Sequence, residues 1–481
     1  MSSTQGTGWE TVIGLEVHAQ LLTRSKLFCR CANKFGGEPN SRVCPVCGGM
    51  PGALPVINEK AVELAVLAGM AIGCRINMRS VFSRKSYFYP DLPAGYQTSQ
   101  LEPPICEDGR VEIQGRNGPA TIRVNRIHLE NDAGKCLHEG YGQSQVDLNR
   151  AGTPLIEIVS EPDLRSPEEA VEYMKQLRRT FVYLGVTDGN MEEGSMRCDV
   201  NISLRRPGSA EYGTRTELKN LNSFTAILDA AGYEIERQAE ILNAGGTVDQ
   251  ETRYYDPESG TTSSMRSKED APDYRYFPCP DLPPVMVSQK LYDSVKAALP
   301  ELPDARQARF EKELGLNSEE ASVLVGSAAL AACFEEAAQG QKSPKRIAGL
   351  ILGELLPEAA RRGKEWSELG FGPKDLAHTA GMIDENKVSL RVVHELFAEL
   401  LDSGLPVENL AEQKGLLQVS DSGALEEAVL RAIADNPSEA GAYRGGKTKL
   451  LSFFVGQVMK ATKGAGNPGV INELLKKHLG A

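Results

Sequence analysis

The sequence contains no uninterrupted run of about 18 uncharged apolar residues, the length a helix needs to cross a bilayer. Its first ten residues, MSSTQGTGWE, lack the apolar core of a signal peptide. Both absences lead us to expect a cytoplasmic chain with no membrane association. A basic excess is missing too: the net charge is −12, whereas a nucleic-acid binder usually shows the opposite balance. Length bounds the organisation. At 481 residues the chain is too long for one core, and two to four domains are expected.

The charge average hides an uneven distribution. Residues 441–481 carry seven cations (Arg444, Lys447, Lys449, Lys460, Lys463, Lys476, Lys477) against Glu473, a net +6 that leaves −18 for residues 1–440. A basic terminal module suggests contacts to the phosphates of an RNA, made by Lys447, Lys449, Lys460 and Lys463; the alternative is a solvated face. GAYRGGKT, residues 441–448, also fits the phosphate-loop pattern letter for letter. That loop must follow a buried strand, and DNPSEA in front of it reads as helical surroundings, so the sequence argues against a nucleotide role there.

Of the ten cysteines, read as cytosolic thiols, four are clustered as Cys29-x-Cys31 and Cys44-x-x-Cys47. Two close thiol pairs at the ends of a loop can close a tetrahedral sulfur site for zinc. With four protein ligands no position stays open, so a zinc knuckle over residues 29–47 is expected to be structural; the alternative is four unrelated buried thiols.

Alternation marks the first part as sheet-rich. In TVIGLEVHAQL, residues 11–21, Ile13, Leu15, Val17, Ala19 and Leu21 alternate with Val12, Gly14, Glu16, His18 and Gln20, so a strand would show Glu16 and His18 on one face. RVEIQG, TIRVNRIHL, PLIEIVS and MRCDVNISLR read likewise. Helical spacing interrupts them at 58–72, 167–184 and 223–243. Four prolines in 278–284 break the pattern, and the remainder looks helical: Ser343-Pro344 and Asn467-Pro468 are cap-plus-first-turn pairs, and SEEASVLVGSAALAACFEEAAQ is one amphipathic run behind Ser318. The expected division is 1–290 sheet-rich, 291–405 helical, and 406–481 a smaller basic tail domain, an α+β protein overall.

Several strands carry acids interleaved with cations: Glu16 and His18; Glu130 and Asp132 before Lys135; Glu157 between Ile156 and Ile158; Asp199 beside Arg197; Arg215, Glu217 and Lys219. Carboxylates with imidazole suit Mg²⁺ or Mn²⁺, and the cations suit phosphate oxygens. Together they describe a site for phosphoryl transfer, unless the sheet merely has a charged, solvated outer face. RKSYFYPDLPAGYQTSQ, residues 84–100, adds charge and stacking surface of the kind a base or a single-stranded end requires.

These motifs carry a resemblance. VDLNRAGTPLIEIVSEPD (146–163), with TVIGLEVH, YFYPDLPAGYQTSQ, MEEGSMRCDVNISLR, ELKNLNSF and DYRYFPCPDLPP, resembles the GatB/GatE family of tRNA-dependent amidotransferase subunits along essentially the whole chain. QVMKATKGAGNP resembles the YqeY-like domain that ends them. The resemblance implies an antiparallel-sheet catalytic cradle with a glutamine synthetase-like fold, then an all-α domain and the YqeY-like tail. It implies an ATP-using carbon–nitrogen ligase in a heterotrimer with a GatA-type amidase and a GatC-type small subunit, acting on Glu-tRNA(Gln) or Asp-tRNA(Asn). Carried over by motif, Glu16, His18 and Glu130 would hold Mg²⁺ with ATP, Glu157 and Asp199 would join them in catalysis, and Lys85, Arg150 and Lys219 would contact phosphate or carboxylate. One departure stands out. Where family members often read EEDAGK, this chain has Asn131, which offers an amide oxygen but no charge. The other reading is a non-catalytic, zinc-stapled tRNA-binding scaffold.

Overall fold

A computed structural model describes residues 8–137, 144–267, 273–417, 422–462 and 466–480. Two compact units divide the chain, Met1–Pro303 and Asp304–Ala481. The first unit opens with β1 (Glu10–Gln20), β2 (Arg75–Ile76), β3 (Arg79–Ser80), β4 (Ser83–Ser86) and β5 (Tyr96–Ser99). Then come β6 (Cys106–Gly115), β7 (Gly118–Asn131), β8 (Lys135–Leu137), β9 (Gln145–Asp147), β10 (Pro154–Ser160), β11 (Met196–Arg205) and β12 (Thr216–Leu221). β13 (Glu251–Asp256), β14 (Thr261–Ser267), β15 (Phe277–Pro278) and β16 (Val285–Met286) complete it, with helices α1 (Glu59–Ala71), α2 (Pro167–Tyr183) and α3 (Phe224–Asn243) between them.

Nine strands form one sheet in the order β14-β13-β12-β11-β1-β10-β7-β6-β2. Neighbours are antiparallel except β12 and β13, which run parallel, so the expected antiparallel sheet is in fact mixed. The reason lies in the connection: α3 joins these two strands, and a helical crossover returns the chain in the same direction where a hairpin cannot. β15, β4 and β5 form a separate three-stranded sheet.

Alternation decides the faces. Ile13, Leu15, Val17 and Ala19 of β1 are buried and join Tyr173, Met174 and Leu177 of α2 and Ile227 of α3 in one core. The helices start where sequence chemistry tells them to: the Ser166 side chain accepts from the amide of Glu169, with Pro167 in the first turn, and Ser223 caps α3 in the same way. The polar side chains of the central strands therefore gather on the opposite face.

The proline-rich segment does not end the unit. Cys279, Leu282, Val285, Val287 and Val295 all belong to the first core, so packing continues past the expected boundary at 290.

Among the described residues the second unit has two cores, one from Phe310 to Ala411 and one from Leu425 to Leu479. Val407, Leu410 and Ala411 pack in the earlier one, so a division at 405/406 would sever a helix from its core. The run behind Ser318 is two helices, Ser318–Leu324 and Ala328–Ala338. Asn317, not Ser318, caps the first through a capping box with Glu320, and Ser327 after Gly326 caps the second. Ser343 and Asn467 cap helices with Pro344 and Pro468 in their first turns, as expected. Among the described residues no single helix is long and apolar enough to cross a membrane.

Candidate active site

Strand register brings the polar face together. His128 of β7 lies opposite Glu157 of β10, Glu157 opposite His18 of β1, and His18 opposite Arg197 of β11, a row crossing four strands. Two residues along, on the same face, Glu16 faces Asp199. Because side chains alternate, Glu130 stands beside His128 on the same face of β7.

Glu157 is the hub. Its Oε2 lies 3.3 Å from His18 Nε2 and 3.7 Å from His128 Nε2. His128 Nε2 is 3.1 Å from Glu130 Oε1, and His18 Nε2 is 3.9 Å from Glu16 Oε1. Two clusters result, Glu16–His18–Glu157 and His128–Glu130–Glu157, each with donor atoms within 4.8 Å of one another. Glu16, His18 and Glu130 therefore do not form one triad by themselves: they are joined through Glu157. His128 was missed by the sequence reading, although His128-x-Glu130 mirrors Glu16-x-His18 and could have been found by that symmetry.

The row is not a solvated face. His128, Glu130 and Glu157 are buried, at 3 %, 2 % and 5 % exposure, and burying charge without compensation is costly. Burial and the Glu157 charge push the Glu16 carboxyl up to about 7. Burial works against the His18 imidazolium, but the hydrogen bond and charge of Glu157 outweigh it and raise that group to about 9. Glu157 itself is lowered: burial opposes ionisation, while His128, His18 and Lys85 favour it. Without a cation the site thus holds extra protons. Carboxylate oxygens with imidazole nitrogen are the donor set of Mg²⁺ or Mn²⁺, so these residues fit such an ion.

The small sheet contributes cations and amides. Gln97 of β5 donates to Glu130 Oε2 at 2.9 Å. Lys85 of β4 sits 4.7 Å from the Tyr274 ring centroid; burial disfavours its charge, yet Glu130 and Glu157 raise its pKa. Arg84 rests 4.0 Å over Tyr96, while Phe88 and Tyr89 remain exposed. Asn131 is already engaged: its Oδ1 accepts from the amide of Thr98 at 2.7 Å. Asn131 thus helps hold β5 against β7.

Other expected residues have partners of their own. Arg150 donates to the carbonyls of Ala133 (3.0 Å) and Gly134 (2.6 Å). Lys219 is paired with Asp199 and with Glu217. Buried Asp132 accepts from Gln20 at 2.8 Å and Arg197 at 2.9 Å. A cleft of about 620 Å³ opens beside this end of the row, lined in part by Gln20, Arg42, Arg150, Arg197 and Asp199.

Away from the row, Cys29, Cys31, Cys44 and Cys47 converge. Cys47 Sγ lies 3.9 Å from the Sγ atoms of both Cys31 and Cys44. Tetrahedral zinc with Zn–S bonds of about 2.3 Å demands S···S edges of about 3.8 Å, so the sulfurs fit that ion. The Cys47 thiol is lowered to about 4, chiefly by the hydrogen bond from Cys29, with burial opposing.

In the tail, Lys447, Lys449 and Lys460 are exposed around the helix Leu451–Ala461, whereas Lys463 lies outside the described residues. GAYRGGKT spans the end of the helix Pro437–Arg444 and a turn. The helices Ser422–Asp435 and Pro437–Arg444 lead into it, where a phosphate loop must follow a buried strand.

Comparison with known proteins agrees with this architecture. Residues 11–293 match the GatB/GatE catalytic domain and residues 332–479 match the GatB domain. The chain is 55 % identical over 473 residues, 98 % of its length and 99 % of the relative's, to the B-type subunit of the aspartyl/glutamyl-tRNA(Asn/Gln) amidotransferase of Solidesulfovibrio magneticus. With the protein of the same name from Anaeromyxobacter dehalogenans it shares 52 % over 98 % and 99 % of the two chains. The chain belongs to the GatB family of amidotransferase subunits.

Proposed function

We propose that this chain activates the side-chain carboxylate of a glutamate or aspartate carried on tRNA(Gln) or tRNA(Asn), using ATP, and that ammonia then converts it to the amide. A carboxylate has no adequate leaving group for ammonia. Its oxygen therefore attacks the γ-phosphorus, the bond to ADP breaks, and an acyl phosphate forms. Ammonia adds at that carbonyl, the C–OP bond breaks, and inorganic phosphate and a proton leave with the amide product. Glutamine hydrolysed in a GatA-type amidase partner supplies the ammonia, and a GatC-type small subunit completes the heterotrimer.

The observation that carries this reading is the sharing of Glu157 between two His–Glu pairs, His128–Glu130 buried and His18–Glu16 half-buried. Bound there, Mg²⁺ would offset phosphate charge as the γ-phosphoryl moves. Glu16, His18, Glu157, Glu130 and His128 would hold it, and Lys85 and Arg197 would face the transferred group and the substrate carboxylate. The adjoining cleft offers room for nucleotide or aminoacyl end, and limited water there would protect the acyl phosphate. Asp199 and Lys219 act as a pair at its edge, and Arg150 shapes it by gripping residues 133–134. The basic tail would take tRNA phosphates. A scaffold with no chemistry would have no need to bury these acids.

Oxygen tracing tests the order of steps. Glutamyl-tRNA labelled with ¹⁸O in the side-chain carboxylate should deliver one ¹⁸O to the released phosphate. Unlabelled phosphate alongside amide formation would overturn the acyl phosphate route.

A further inference from the structure

Lys26 takes no part in the carboxylate chemistry, yet its side chain is completely buried. Its ammonium donates to the carbonyls of Arg42 at 2.9 Å and Leu148 at 3.2 Å, and reaches Cys47 Sγ at 3.5 Å. Three donors meet three acceptors, so its hydrogen bonding is complete. Its charge is another matter. Among the described residues no carboxylate lies within ion-pair distance of it, and a buried ammonium without an anion is strongly disfavoured.

The cysteine cluster can supply that anion. Four thiolates around Zn²⁺ carry a net charge of about −2, and the ammonium rests on one of the four sulfurs. The same loop is stitched to residues 148–149. Asn149 accepts from the amide of Arg42 at 2.9 Å and donates to the Glu38 carbonyl at 2.7 Å, and the Leu148 amide donates to Asn40 Oδ1 at 2.8 Å. Gly152, at φ +84°, approaches so closely that an added Cβ would sit 3.3 Å from Cys47 Cβ and 3.6 Å from Lys26 Cδ. Arg150 of that segment holds the Ala133 and Gly134 carbonyls and lies 3.7 Å from Asp132, which accepts from Arg197 of the row.

We infer that Lys26 is the counter-ion and tether of the tetrathiolate zinc centre, a positioning residue that locks Cys47 and, through Leu148, fixes the 146–152 segment against the carboxylate row. The inference rests on reading the four cysteines as a zinc site. Loss of zinc reduces the anionic charge beside the ammonium and loosens the segment from which Arg150 reaches the 133–134 turn. Zinc then acts on the active site by placement, without touching the substrate.

The test uses the full chain loaded with Co²⁺ or Zn²⁺. Lys26→Met keeps the apolar stem and removes the charge; Lys26→Gln keeps a donor. Each variant is expected to bind one metal ion with unchanged secondary structure by circular dichroism. The sulfur-to-cobalt charge-transfer band should move to lower energy, because no cation stabilises the sulfur lone pairs. Zinc affinity in chelator competition should fall roughly 10- to 100-fold, the usual effect of removing a group that supports a metal ligand, with Lys26→Gln intermediate. An unmoved band and unchanged competition in a metal-loaded variant would overturn the role of Lys26 alone. Failure of the wild-type chain to bind one zinc would overturn the zinc site itself. Should Lys26→Met not fold, Lys26→Gln carries the spectroscopic test. In wild type, chelation should raise hydrogen exchange at 146–152 and 132–134 ahead of global unfolding, and unchanged exchange there would contradict the tether.

Discussion

Glu157 on β10 and His18 on β1 face each other in register, carboxylate Oε2 to imidazole Nε2 at 3.3 Å. The contact makes proton binding and metal binding alternatives. Without a cation, His18 keeps its proton to about 9 and Glu16 keeps its proton to about 7. A divalent ion must displace those protons. Affinity for Mg²⁺ or Mn²⁺ should therefore climb as pH rises from 6 to 9, with protons released to buffer. Calorimetry in buffers of different ionisation enthalpy checks it; pH-independent binding with no proton release would contradict the site.

Stability of the metal-free protein should carry the same signature. The folded state favours protonated His18, a contribution complete below the ordinary value near 6.5 and lost as pH climbs through about 9. It favours protonated Glu16 likewise, complete below 4.5 and lost as pH rises through about 7. Glu157 is lowered instead, so its contribution disappears only as the solution becomes strongly acid. The thermal midpoint should fall between pH 5 and 9, and Glu16→Gln should flatten the lower part of that fall. Thermal scans across the range read it directly.

Asn131 separates packing from metal binding. Asn131→Ala removes the acceptor for the Thr98 amide and should cost about 1–3 kcal/mol of stability, while Mg²⁺ affinity stays within twofold of wild type. Asn131→Asp keeps an acceptor and should restore most of the loss. Denaturant melts and metal titration together decide it; a large loss of affinity in Asn131→Ala would make the amide a ligand after all.

The tail makes a salt-dependent prediction. Replacing Lys447, Lys449 and Lys460 together by alanine should leave the fold intact, since all three side chains are exposed. It should weaken tRNA binding and reduce the slope of log affinity against log salt by roughly 2 to 3. An unchanged slope would remove the RNA role from these lysines.

Local chemistry made much of this molecule legible. PLIEIVS and MRCDVNISLR are β10 and β11 residue for residue, because the first is an apolar run around one acid, the second alternates, and turns bound both. Apolar spacing of three to four announced α2 and α3. Pairing was less legible. Which acid becomes the hub depends on the register of strands far apart in sequence, so Glu157 ranked behind Glu16 and Glu130, and His128 went unnoticed. The direction of β13 beside β12 comes from the crossover of α3, which no strand pattern encodes. Lys26 in KLFCRC resembles any loop lysine until the fold closes over it. The break between the helices at Gly326-Ser327 was hidden by apolar periodicity that continues on both sides.

The most direct test of the account is ATP-dependent phosphate release by the reconstituted complex, with and without charged tRNA, comparing wild type with Glu157→Gln. The substitution keeps the side chain's volume and removes the charge shared by both His–Glu pairs. Release that requires charged tRNA and falls roughly 10³-fold or more in the variant, as loss of several kcal/mol of charge stabilisation implies, with tRNA affinity retained, is the expected result. Release undiminished by Glu157→Gln would move the chemistry to another subunit and leave this chain a tRNA cradle.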